Sequence, residues 1–332
     1  YHKNLKDYSN SKLYLFKELL KKKGNIITDS SISEFKKIKK ISKIKNLKLD
    51  VISKNNENSG IKIIEHKFDD ESQIIHLNYK KNYFKFKINL IGKVQLKNIL
   101  MATLAAEKSG IKFSKIIKTL EYLKPIDGRL EKIGQIKNNS KVILDYAHTP
   151  DALKTVLQNL KEHFFSKKIS IVFGCGGDRD KQKRSMMGKI ASLYCHKIYL
   201  TDDNPRNENP YSIRNEIKRG IKNKNIFEIS DRKKAIEKAI INLKSSEILL
   251  VAGKGHETTQ TYKSKVRFFS DREIILKSIS YKNKYLSKNL KLNIIKEISG
   301  ADLSLKNIKS KKIVINSKEV NQDDIFFSIR GI

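Results

Sequence analysis

Residues 141–162, KVILDYAHTPDALKTVLQNLKE, pass from an apolar run through a polar cluster into helical periodicity, and this rhythm then repeats along the chain. The apolar runs are Val142–Leu144, Ile169–Phe173, Ile198–Leu200 and Ile248–Val251, with a shorter one at Ile226–Ile229. Helical segments separate them at 150–162, 183–194, 210–220 and 231–243. Alternation at this spacing predicts an α/β fold, a parallel sheet covered by helices. In such sheets ligands bind beyond the carboxyl ends of the strands. The unusual residues gather there: Asp145-Tyr146-Ala147-His148 after the first run, Gly174–Asp180 (GCGGDRD) after the second, Asp202-Asp203-Asn204-Pro205-Arg206 after the third, and Gly253-Lys254-Gly255-His256-Glu257 after the last. Turn formation and helix capping account for each cluster alone. They do not account for Asp, Arg, His and Glu recurring at strand ends while the opposite connections are plain Lys and Asn, so one composite polar site is expected.

Arg179 and Arg206, beside Asp203, Asn204 and Glu257, suit a zwitterion. A guanidinium grips a carboxylate through two parallel hydrogen bonds, and acidic side chains accept from an ammonium. Gly253 lets backbone approach such a ligand. These residues predict an amino-acid pocket and leave open which amino acid and which reaction. Cys175 and Cys195 lack His partners at metal-ligand spacing, which speaks against structural zinc. His148 and His256 are candidate bases, but no Ser or Cys occupies a nucleophile elbow. No segment satisfies G-x-G-x-x-G or G-x-x-x-x-G-K-[ST].

Outward from this region, the stretch to about residue 90 reads as a short helix at 13–20, closed by a turn at Lys21–Gly24, and then strands at Val51-Ile52, Ile61–Ile64, Ile74–Leu77 and Tyr83–Leu90. Helical periodicity follows at Leu96–Ser109 and Lys112–Leu123, stopped by Pro125 and Gly128, where a domain boundary is expected. The 332 residues allow two or three domains, and 39% apolar with 32% charged residues is a globular balance. The formal charge of +35 invites a nucleic-acid reading. The lysines, however, are spread over the whole length among Ile and Asn, where a binding surface concentrates them. Lys21-Lys22-Lys23 and Lys36-Lys37-Ile38-Lys39-Lys40 are therefore read as solvated faces and loops, and no nucleic-acid partner is expected. No apolar run reaches the roughly 18 to 20 residues of a membrane span, and two cysteines suit a reducing cytoplasm.

Five segments in order, DYAHTPD (145–151), VFGCGGDRDK (172–181), TDDNPR (201–206), VAGKGHE (251–257) and FSDRE (269–273), resemble the Mur ligases, and in particular the branch that adds meso-diaminopimelate. The resemblance covers about residues 1–280. It implies a cytoplasmic, ATP-dependent acid–amino-acid ligase of peptidoglycan precursor synthesis, joining meso-diaminopimelate to UDP-MurNAc-L-Ala-D-Glu with Mg²⁺ as cofactor. Asp203-Asn204-Pro205-Arg206 matches the segment selecting that amino acid, with Arg206 on the carboxylate of its distal centre, and Arg179, Gly253 and Glu257 match further substrate contacts. Asn98, Arg129 and Asp145 match nucleotide-contacting positions, and His148 a catalytic one beside them. Tyr1-His2 and Tyr8–Lys12 resemble the segment after the phosphate-binding half of the central domain. Lys12 falls at a lysine that is carbamoylated in the family, where the added carboxylate helps place Mg²⁺. Lys3 stands where Gly is usual, and Gln95 replaces the first Asn of F-N-x-x-N. A folylpolyglutamate synthetase is a related ligase, but it has no reason to carry the DNPR segment.

The resemblance implies three parts: 1–126, the remainder of a central ATP-binding domain without its phosphate loop; 127–283, a Rossmann-like C-terminal domain; and 284–332. In the last, Ile313–Lys318 and Asp323–Gly331 resemble the opening strands of a Mur ligase N-terminal domain, which suggests a fused MurF. Since the UDP-binding domain, phosphate loop and metal-binding Glu and His of the family would precede Tyr1, these residues alone are expected to bind substrates weakly and not to turn over.

Overall fold

The computed structural model describes residues 4–53, 60–222 and 225–288, and in the tail 294, 297–298, 313–314, 317–321 and 324–326. The chain forms two compact units, Tyr1–Lys124 and Pro125–Ile332.

In the first unit, helix α1 (Leu5–Tyr14) runs into a π-helical turn at Leu15–Leu19, followed by β1 (Asn25–Asp29), α2 (Phe35–Ile44), β2 (Lys48–Ser53), β3 (Ile61–Asp69), β4 (Ser72–Tyr79), β5 (Asn82–Ile88), α3 (Lys93–Lys108) and α4 (Phe113–Thr119). The sheet runs β1-β2-β3-β4-β5; its first two pairings are parallel and its last two antiparallel. Ile61, Ile75, Leu77, Ile88, Leu100 and Leu104 are buried in its core. The lysine-rich run at 36–40 is a solvated face, as expected, and belongs to a helix rather than a loop. It lies on α2, where Ile38 and Ile41, three residues apart, are buried. The flanking lysines cover the opposite face, as an amphipathic helix requires. The helix read at 13–20 begins earlier, at Leu5, where Asn4 caps it by accepting the Asp7 N–H at 2.9 Å.

In the second unit, β6 (Glu131–Gln135) and β7 (Lys141–Asp145) lead to α5 (Pro150–His163), β8 (Ile169–Phe173), α6 (Gln182–Tyr194), β9 (Lys197–Leu200), α7 (Pro210–Lys218), β10 (Ile226–Glu228), α8 (Arg232–Ile241) and β11 (Ile248–Ala252). A hairpin of β12 (Thr259–Tyr262) and β13 (Lys265–Phe268) and the long α9 (Asp271–Lys288) complete it. The sheet order is β10-β9-β8-β11-β7-β6. Every pairing is parallel except β6 with β7. All five positions of β7, β8 and β11 are buried, the pattern of strands covered on both faces. Each fully buried Ile, Val or Phe there contributes about 1.5–3 kcal/mol relative to exposure. The α/β class and the five parallel strands follow the expected alternation. The antiparallel edge strand, the hairpin and α9 were not read from the sequence.

α9 runs through residue 284 to Lys288, and Ile294 and Ile298 pack against the core beneath it. In the tail, β14 (Ile313–Val314) pairs in parallel with β15 (Ile325–Phe326). Ile315, Asn316, Asp323 and Phe327–Gly331 of the MurF-like segment lie outside the described residues, as do Tyr1, His2 and Lys3. Among the described residues no helix is long and apolar enough to cross a membrane.

Candidate functional site

The four strands β9, β8, β11 and β7 are neighbours, so their carboxyl ends present the four polar clusters side by side. Local sequence fixes each loop. Thr149 caps α5 by accepting the Ala152 N–H, with Pro150 in the first turn, so His148 is left at the lip of the strand. The β8 and β9 loops meet backbone to backbone: Gly177 donates its N–H to Asn204 O at 2.9 Å. A β-carbon on Gly177 would lie 1.9 Å from Pro205 O, so only glycine permits this approach. At the end of β11, Gly253 adopts φ +112°, and a β-carbon there would come within 2.8 Å of Asp203 Oδ2.

These loops enclose a cavity of about 670 Å³. Arg179, Asp203, Asn204, Arg206, Gly253 and Glu257 all line it, as does His148. Thus two guanidinium groups and a carboxylate from three different loops face one space. Pro205, whose carbonyl leaves no room for a side chain at Gly177, is buried and does not line the cavity. Arg206 is half-buried; its Nη1 donates to Gly177 O at 2.8 Å. Arg179 is exposed, with Nη1 on Asp178 O at 3.0 Å. Asn204 donates its Nδ2 to Glu257 Oε2 at 3.2 Å.

The backbone of Arg206 lies at φ +51°, in the left-handed region. The hairpin holds it there: Arg206 N–H donates to Thr261 O at 3.1 Å and Lys263 N–H to Arg206 O at 2.6 Å. Gln260 adds its amide to Asp203 O at 2.8 Å, and the Tyr262 hydroxyl donates to Asp202 at 3.1 Å. Burial raises the Tyr262 phenol well above its ordinary pKa, with the Asp202 carboxylate adding to the effect. Below, Arg184 is fully buried and paired with Glu208 at 2.8 Å and Glu216 at 2.9 Å. Glu208 also accepts the Asp178 N–H at 2.6 Å, which couples the Arg179 loop to the Arg206 loop.

His148 is exposed, and its Nδ1 lies 2.9 Å from Tyr146 O. A carbonyl only accepts, so Nδ1 carries the proton and Nε2 of the neutral ring offers a lone pair. Asp145 is buried and does not line the cavity. It accepts the N–H groups of Leu130 at 2.7 Å and Ala147 at 2.8 Å. Burial raises its carboxyl above the ordinary value, against the pull of those N–H groups. The neighbouring Arg129 stacks over the Tyr146 ring at 4.6 Å.

Lys12 and Asn98 belong to the first unit. Lys12 is exposed on α1, 5.4 Å from the centre of the Tyr8 ring, and Asn98 is exposed on α3. A smaller cavity there, of about 290 Å³, contains Asp29 and Lys97. These already pair with each other at 2.7 Å, so they do not converge as free charges on a ligand. Among the described residues, no group of three or more His, Cys, Asp or Glu side chains is placed to hold a metal ion.

The sequence reading passed over Lys254, Gln260, Tyr262 and Arg184. Arg184 looks like an ordinary member of a basic chain, and only its complete burial, shared by Lys254, singles it out. For Lys254 the available signal was its place between two glycines at the end of an apolar run.

Two family models match in chain order: the Mur ligase middle domain over residues 1–106 and the Mur ligase glutamate ligase domain over residues 128–255. The UDP-N-acetylmuramoyl-L-alanyl-D-glutamate–2,6-diaminopimelate ligase of Rickettsia montanensis is 39% identical over 282 residues, 84% of this chain and 57% of that protein. Its counterpart in Wigglesworthia glossinidia brevipalpis is 40% identical over 288 residues, 85% of this chain and 56% of that protein. A solved structure of a ligase of the same name is 29% identical, with a TM-score of 0.60 over 85% of this chain and 58% of that one. The chain thus spans somewhat more than half the length of the relatives it matches. With two successive Mur ligase domains and these relatives across most of its length, the protein belongs to the Mur ligase family.

Proposed function

We propose that the 670 Å³ cavity binds meso-diaminopimelate, and that the protein serves ATP-dependent joining of this amino acid to UDP-MurNAc-L-Ala-D-Glu. The observation that carries the reading is the convergence of Arg179, Arg206 and Glu257 on one cavity at the carboxyl edge of a parallel sheet. Meso-diaminopimelate has a carboxylate and an ammonium at each end, so a site for it needs two cation positions as well as an acceptor for nitrogen. Arg206 grips the distal carboxylate, Arg179 binds a carboxylate, and Glu257 with Asn204 and Asp203 receives an ammonium. Gly253 lets the ligand lie against the backbone. The names of the relatives, which specify 2,6-diaminopimelate, support this choice.

In the reaction proposed, the D-Glu carboxylate takes the γ-phosphoryl group of ATP, releasing ADP and leaving an acyl phosphate. The amine then attacks the acyl carbon, and the tetrahedral adduct expels phosphate as the amide forms. Before attack the amine loses a proton, and His148 Nε2, at the cavity rim, is suited to take it. The residues of the second unit hold the amino acid so that a bimolecular encounter becomes a positioned one. Arg129 and Asp145 of the second unit are assigned to the nucleotide, Asp145 by fixing the backbone next to Arg129 through the Leu130 N–H; Asn98 of the first unit is assigned to the nucleotide on the resemblance alone. Among the described residues no group of three or more His, Cys, Asp or Glu side chains is placed to hold Mg²⁺; Lys12, once carbamoylated, would supply a carboxylate that helps place the ion.

The test is calorimetric titration with meso-diaminopimelate, L-lysine and L-glutamate. L-Lysine lacks the distal carboxylate, so the Arg206 contact is lost. One charge-assisted pairing is worth about 1.5–3 kcal/mol, so L-lysine binds at least roughly tenfold more weakly. Arg206→Lys narrows that preference, since an ammonium cannot reproduce the two-pronged grip. Equal affinity for all three amino acids, or a preference for L-glutamate, would sink the assignment.

A further inference from the structure

Beside the cavity lies a lysine that is not part of its lining. Lys254 is 0% exposed, and its Nζ donates to Asn204 Oδ1 at 3.1 Å and to Glu257 Oε2 at 3.2 Å. Asn204 Oδ1 also accepts the Thr261 N–H at 3.0 Å, while its Nδ2 donates to the same Glu257 Oε2 at 3.2 Å. The three side chains therefore close a triangle, with the hairpin attached at one corner. A carboxamide oxygen that already accepts from an ammonium and a peptide N–H cannot change places with its NH₂ group, because the flip sets donors against donors. Lys254 thus dictates which way Asn204 faces. It also supplies the positive charge beside the Glu257 carboxylate. An ammonium withdrawn from water is strongly unfavourable without such partners, so the triangle is held from both sides.

We propose that Lys254 is the positioning residue of the amino-acid site, its buried ammonium fixing the Asn204 amide and the Glu257 carboxylate in the arrangement that receives the ligand's ammonium group. This rests on the reading of the cavity given above. Being out of reach, Lys254 acts only through the two side chains it orients.

Calorimetry with two probes separates this role from general support of the fold. Meso-diaminopimelate carries ammonium groups, whereas pimelate has the same carbon chain and carboxylates without them. In Lys254→Met, which keeps an unbranched stem and loses the charge, affinity for meso-diaminopimelate falls on the order of tenfold, while affinity for pimelate stays within about twofold. Lys254→Gln, which retains a donor, recovers part of the loss. The losses from Lys254→Met and Glu257→Gln do not add in the double variant, which also restores charge balance should Lys254→Met alone fold poorly. Equal losses for both probes, no loss, or additive losses overturn the proposal. A second readout needs no ligand. The side-chain amide resonance of Asn204, identified by its absence in Asn204→Asp, moves toward a solvent-exposed value in Lys254→Met, and an unchanged resonance overturns the inference. If the parent protein binds neither probe, the functional reading falls and that resonance alone decides the role of Lys254.

Discussion

At Arg206, residue type and backbone shape point to the same place. An L-residue at φ +51° carries strain of order 1–3 kcal/mol, and here two hairpin hydrogen bonds and a contact to Gly177 hold it. That Arg206 faces the shared cavity at the strand ends was legible from a guanidinium beside Asn and Pro at a strand end; its left-handed backbone was not, because the hairpin that imposes it lies more than fifty residues away. The same is true of Glu208. It reads as an ordinary surface acid, yet the Arg184 guanidinium holds its carboxyl at about 2, below the ordinary 4.5. A folded-state pKa lower than the unfolded one adds stability in full above the ordinary value, and the gain disappears as pH falls through the folded value. Glu208→Gln is therefore less stable than the parent at neutral pH, and the gap narrows between about pH 4.5 and pH 2. Urea midpoints measured across that range check this; a constant gap would contradict it.

At the scale of elements, strands buried on both faces were the easiest to read and helices crowded with lysine the hardest. The runs of β7, β8 and β11 announce themselves because a strand covered on both faces has no polar positions. In α2 only the Ile38–Ile41 spacing reveals the helix, and the surrounding lysines hide it. α9 was missed for a related reason: its anchor is an ion pair. Arg232, at the start of α8, and Asp271, at the start of α9, have fully buried side chains and bond at 2.8 and 2.6 Å. Arg232 also donates to Ala252 O at 2.9 Å, so one guanidinium joins two helices to the end of β11. Arg232→Met strands a buried carboxylate and is expected to cost about 3–5 kcal/mol. Arg232→Met with Asp271→Leu recovers most of that cost in chemical denaturation. Should the double variant be no more stable than the single one, the pairing is not what joins these elements.

At the scale of the molecule, the two units each enclose a core of their own. Domains with separate cores lose two-state behaviour, so scanning calorimetry should resolve two transitions. Meso-diaminopimelate should raise only the one belonging to Pro125–Ile332, by mass action on the folded state; a single transition, or a shift in the other, counts against this. The sheet of the second unit also bears on how the protein is made. Its strand β11 is the last of the six in sequence and lies between β7 and β8. While the ribosome has yet to release residue 248, the facing edges of β7 and β8 lack their partner and the nascent chain displays apolar strands without their hydrogen bonds. The cavity at the carboxyl ends of these strands therefore closes late in translation, once the central strand and the loop carrying Gly253 and Glu257 beyond it have slotted home.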